Sequence, residues 1–148
     1  MGTFYKNLVR FIGSKLFFVL TTAAFTIQTV WIAISSRYPM AFDEAFHLGL
    51  IKLHAHQAGP IFMHQPPGPA VYGALTTDPS YLYHWLMSFV YQAVVHATPN
   101  FMTQIVTLRL INVAMFVLGL VLFRMVLAKT KASPAVANAA VLFFTLTP

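Results

Sequence analysis

The chain contains no cysteine, which excludes a disulfide scaffold, a thiolate metal site and a cysteine nucleophile together. Acidic residues are nearly as scarce. Only Asp43, Glu44 and Asp78 carry negative charge, against nine Lys and Arg, for a net charge of +6. Those cations are dispersed rather than run together, so they read as charge flanking a membrane, and no nucleic-acid partner is expected. Nucleotide signatures are missing too. Neither a P-loop nor a G-x-G-x-x-G occurs, so no glycine-rich cradle for a nucleotide phosphate is present.

Apolar surface is what the chain has in quantity. With 58% hydrophobic and 8% charged residues and a mean hydropathy of +0.71, it carries more apolar side chains than a water-soluble core of this length can hide. The composition predicts an all-α integral membrane protein with three transmembrane helices and the start of a fourth. Residues 16–35, "LFFVLTTAAFTIQTVWIAIS", supply about the twenty uncharged residues a crossing needs. This run exceeds the roughly 7–15 residues of a signal-peptide core and lacks an A-x-A-like cleavage site. Lys6, Arg10 and Lys15 precede it as a basic flank.

A second span is expected over 80–97, with Tyr81, Tyr83 and Trp85 grouped at its start as interfacial aromatics. A third is expected over 107–128. A fourth starts at 134, where Ser133 and Pro134 suit a cap and a first-turn residue, and runs to 148. The sequence stops in "FFTLTP" without a polar flank, which points to a chain that continues. If the first span sets orientation, the N-terminus is cytoplasmic. Three single crossings then leave Lys129 and Lys131 outside, against the positive-inside rule.

The outer loop, residues 37–79, holds all three acids, four of the six His and six of the nine Pro. Phe46, Leu50 and Leu53 recur at helical spacing, which predicts a surface helix along the bilayer. After it, "GPIFMHQPPGPAVYGALTTDP" is too rich in Gly and Pro for a helix or a central strand. Asp43 stands where a helix N-cap would, which needs no further role. It also shares a helical face with His47, four residues on, so Asp43 and His47 could hold one divalent cation or form a hydrogen-bonded pair. "DEAFH" is not the H-E-x-x-H of metalloproteases. Asp78, before Pro79 and Ser80, reads as a turn and a cap for the helix that follows.

The Asp-Glu pair directly after the first span, the surface helix, "QPPG", the aromatic-led "DPSYLYHWLMS" and Arg109 in "LRLINV" together resemble the amino-terminal part of GT-C-fold glycosyltransferases. These polytopic enzymes use polyprenyl-phosphate-linked sugars, as protein mannosyltransferases and the lipid A aminoarabinose transferase do. By layout the resemblance covers residues 15 to 148. It implies transfer of a sugar from a lipid-linked donor to a hydroxyl of a protein, lipid or glycan on the outer face of the membrane. Asp43 would be the catalytic base and Glu44 its supporting carboxylate, able to help Asp43 and His47 hold a divalent cation. Arg37, His47, Lys52, His64, Gln65 and Arg109 would bind substrate, the cations meeting the lipid phosphate. In several relatives Lys or Glu precedes the first Pro of the "PP" segment, where this chain has Gln65. A divalent cation is the one cofactor implied, and the short outer loop points to a bacterial plasma membrane. Two other readings fit the hydropathy: a transporter or channel fragment, and a small structural membrane subunit.

Overall fold

The computed structural model describes residues 2–41, 43–62, 64 and 82–146. Among these residues there are six helices and no strand: α1 (Thr3–Ile12), α2 (Lys15–Ser35), α3 (Glu44–His54), α4 (Leu82–Ala97), α5 (Phe101–Lys129) and α6 (Pro134–Leu146). They form two compact units, Met1–Ile34 with Leu110–Pro148, and Ser35–Arg109. Gln65, the "QPPG" segment, Asp78 and Tyr81 lie outside the described residues.

In the first unit, α2 with 21 residues and α5 with 29 are long and apolar enough to cross a membrane. At 1.5 Å per residue, either reaches the roughly 30 Å of the hydrocarbon layer. Only 6% of the apolar window of each is buried, whereas a core helix of a soluble domain buries most of its apolar face. Ile27, Trp31, Leu118 and Met125 are among the large apolar side chains left exposed, which suggests a membrane protein. The two helices run antiparallel. The Arg124 guanidinium lies 4.6 Å from the Phe18 ring centre, and Phe25 meets Phe116 at 4.9 Å, so ascending positions in α2 meet descending ones in α5.

Polar groups close one end of this pair. Gly13 and Ser14 interrupt the helix between α1 and α2, and the Ser14 hydroxyl accepts the Phe17 N–H at 3.0 Å, capping α2. Asn138 of α6, 1% exposed, donates to the carbonyls of Ile12 at 2.8 Å and Ser14 at 2.9 Å. Its Oδ1 accepts Nε–H of Arg124 at 2.7 Å. A Cβ on Gly13 would come within 3.3 Å of the Ala135 nitrogen, so the bare backbone is what lets the corner approach the first turn of α6. At the end of α5, Lys131 adopts a left-handed φ of 62° and the Ala132 N–H reaches back to the Leu127 carbonyl at 3.3 Å. That is a Schellman ending with Lys where Gly is usual. Ser133 then caps α6 by accepting the Val136 N–H at 3.3 Å.

In the second unit, α3 carries the stripe its spacing predicts. Leu50 is buried with Phe62, and Phe46 and Leu53 pack against them. The stretch expected as a second span, 80–97, is helical from Leu82 to Ala97. As described, α4 has 16 residues, about 24 Å of helix against a layer of roughly 30 Å. It packs on α3, burying His84, Met87 and Ser88. The span expected from 107 instead begins at Phe101, because the Asn100 side chain caps it, Oδ1 accepting the Thr103 N–H at 2.9 Å.

Candidate functional site

The acidic pair divides at the first turn of α3. Glu44 faces Arg109, which is 7% exposed. Arg109 donates from Nε to Oε1 at 2.6 Å and from Nη2 to Oε2 at 2.9 Å. Its other donors take the carbonyls of Ser36 at 2.8 Å and Arg37 at 3.1 Å. Glu44 Oε2 accepts the Met40 N–H at 2.5 Å as well. Burial raises the Glu44 pKa, but the Arg109 hydrogen bond, the Met40 N–H and the Arg109 charge outweigh it and hold the carboxyl below its ordinary value. One forked cation thereby gathers the backbone of residues 36–40 and the start of α3. Glu44 is an anchor, with both oxygens engaged.

Asp43 is placed differently. It occupies the N-cap position of α3, yet its side chain makes no capping bond, so the structural role open to it in sequence is not the one it takes. Its Oδ2 lies 3.5 Å from His47 Nε2, with the two side chains 48% and 47% exposed. His47 Nδ1 meets His84 Nε2 at 3.0 Å, the rings stacked at 5.2 Å and 14°. Which of the two rings donates at this contact is set by their tautomers. The three stand in a row: His84, His47 and Asp43. In α4, outside the two spans, burial and then the charges of His47 and His54 push His84 down to about 4. It is therefore neutral at ordinary pH.

The other candidates fall outside this row. His54, in register with His47 by sequence, is fully buried against the Phe62 ring at 4.7 Å. Burial lowers its pKa, as suits a core histidine. Lys52 is exposed, its Nζ 5.9 Å from the Tyr91 ring centre and 5.8 Å from that of Phe101. Arg37 and His64 are exposed, and Arg37 joins the site through its carbonyl. Arg109, expected to meet a lipid phosphate, instead holds Glu44 and two carbonyls. The proposed ligand set of Asp43, Glu44 and His47 is not assembled, because Glu44 turns to Arg109. No cluster of three or more metal-ligating side chains occurs among the described residues. Sequence reasoning missed His84, which lies 37 residues from its partner with no spacing rule to join them.

Protein-family models give no match to this chain, and neither curated proteins nor solved structures match it.

Proposed function

We propose that this chain carries the acidic site of a membrane glycosyltransferase. The reaction moves a sugar from a polyprenyl-phosphate carrier to an acceptor hydroxyl. One observation carries the reading: of two adjacent carboxylates, Glu44 is locked to Arg109, while Asp43 is half exposed, forms no capping bond and is aligned by His47 and His84. In this reaction the acceptor oxygen bonds to the anomeric carbon and its proton passes to Asp43. The bond from that carbon to the phosphate oxygen breaks, and its electron pair leaves on the lipid phosphate. The His row fixes the carboxylate's direction, and the Arg109 clamp fixes the backbone beneath it. Countercharge for the departing phosphate falls to Arg37 and Lys52, and His64 and Gln65 belong to the substrate contacts of this reading. Glu44 is engaged elsewhere, so a cation held by Asp43, Glu44 and His47 has no part in this scheme.

Charge placement supports an outer-face site. Lys6 and Arg10 precede α2 and Lys15 begins it, while Arg124 and Lys129 stand in the last turns of α5 and Lys131 follows it. Antiparallel packing brings these six to one end of the pair. By the positive-inside rule that end is cytoplasmic. On this reading the N-terminus lies inside a bacterial plasma membrane and transfer takes place at its outer face. A transporter reading gains nothing from α2 and α5, which contain no acidic residue.

Asp43→Asn tests the proposal. In membranes carrying the protein, sugar transfer from a polyprenyl-phosphate donor should fall about 10²–10⁴-fold, with the amount of folded protein unchanged. An unaltered rate removes Asp43 as the base.

A further inference from the structure

The N-terminal helix α1 has two faces. At 3.6 residues per turn, Phe4, Tyr5, Leu8, Val9, Phe11 and Ile12 share one side, and Thr3, Lys6, Asn7 and Arg10 share the other. No residue of α1 is buried, and Phe4 is 81% exposed. A helix of ten residues is too short to persist on its own hydrogen bonds, so its apolar face needs a cover. What covers it is indicated by position and charge. Asn138 ties the α1–α2 corner through the Ile12 and Ser14 carbonyls, which keeps α1 at the level where span α2 begins. Lys15, Lys129 and Lys131 belong to the same end of the α2–α5 pair. Neither Met1–Ile34 nor Leu110–Pro148 contains an acid, so the chain's whole excess of positive charge sits in this unit.

We propose that α1 is an interfacial anchor that binds anionic phospholipid. Its apolar face lies about 5–10 Å into the headgroup boundary, and Lys6 and Arg10 join Lys15, Lys129 and Lys131 in a basic rim that holds lipid phosphates. Each cation near such a surface is worth about fivefold in binding. The proposal rests on the reading of α2 and α5 as spans, and independently of any catalytic role.

Absence of cysteine makes the test direct. The full chain, bearing a single spin-labelled Leu8→Cys, Asn7→Cys or Ile27→Cys, is reconstituted in phosphatidylcholine vesicles with and without phosphatidylglycerol. With phosphatidylglycerol, the label at 8 should be accessible to oxygen and shielded from a water-soluble nickel reagent, and the label at 7 the reverse. That contrast should weaken in phosphatidylcholine alone, and in Lys6→Gln/Arg10→Gln. Equal nickel access at 7 and 8, with the Ile27 label shielded, overturns the anchor and leaves the spans intact. Nickel access at 27 overturns both. A contrast indifferent to phosphatidylglycerol and to the two substitutions refutes anionic recognition. Dipolar broadening between labels at 8, with shielding from both reagents, assigns the face to a second copy of the chain instead.

Discussion

Glu44→Gln asks how much of the site's geometry depends on one ion pair. The substitution keeps the shape of the side chain but removes the charge facing a guanidinium that is 7% exposed. Breaking a buried pair by removing one partner costs about 3–5 kcal/mol. Glu44 itself is 18% exposed and Arg109 keeps the Ser36 and Arg37 carbonyls, so the cost should fall to about 2 kcal/mol. Arg109→Met is worse. It leaves two carbonyls without their donors and a carboxylate with only the Met40 N–H, for about 3–4 kcal/mol. The double variant should lose less than the two together, with a coupling of about 1–2 kcal/mol. Equilibrium unfolding in detergent, followed by the fluorescence of Trp31 and Trp85, measures all three. The pH dependence has a definite sign. Because the folded pKa of Glu44 lies below its ordinary 4.5, the native state binds fewer protons there. The contribution is complete above 4.5 and lost as pH falls through the lowered folded value. Wild type and Glu44→Gln should converge in acid. A cost under about 0.5 kcal/mol, the value of an exposed pair, or a strictly additive cycle would refute the clamp.

The buried histidines give the same acid trend at a higher pH. With His84 at about 4 and His54 also lowered from 6.5, stability is complete above 6.5 and declines below it, by up to about 2 kcal/mol for His84 at about pH 5. Unfolding midpoints should slope less steeply between neutral pH and pH 5 in His84→Gln. Asn138→Leu strips partners from two carbonyls and the Arg124 Nε, and should cost about 2–4 kcal/mol, with faster amide exchange in α1 as the local signature. Lys131→Gly relieves a left-handed residue at the end of α5 and should raise stability by about 0.5–1 kcal/mol in the same unfolding measurement.

Local pattern was legible where one helix carries its own period. The apolar stripe of α3 and the Ser133–Pro134 start of α6 could be read directly, because capping and amphipathicity involve residues three or four apart. The two faces of α1 were equally present in Phe4, Leu8 and Phe11 against Lys6 and Arg10, but a short basic stretch before a span reads as a flank unless its period is counted. The stretch 80–97 poses a different question. Apolar composition does not distinguish a helix that faces lipid from one that packs on α3, and the discriminating quantity is length. Tertiary partners were the least visible. Glu44 and Arg109 are 65 residues apart, and an arginine near a membrane boundary looks alike whether it meets lipid phosphate or a carboxylate.

Asn138 implies an order of events. The corner it closes is made 126 residues earlier, so α2 and α5 are synthesised while Arg124 still awaits its amide. Until α6 arrives, that guanidinium has the Phe18 ring beside it and the α1–α2 corner lacks its tie. Assembly of this end is a late latch, completed by a residue that ends up 1% exposed. Stalling synthesis just before α6 should therefore yield inserted helices whose N-terminal corner is still unfastened.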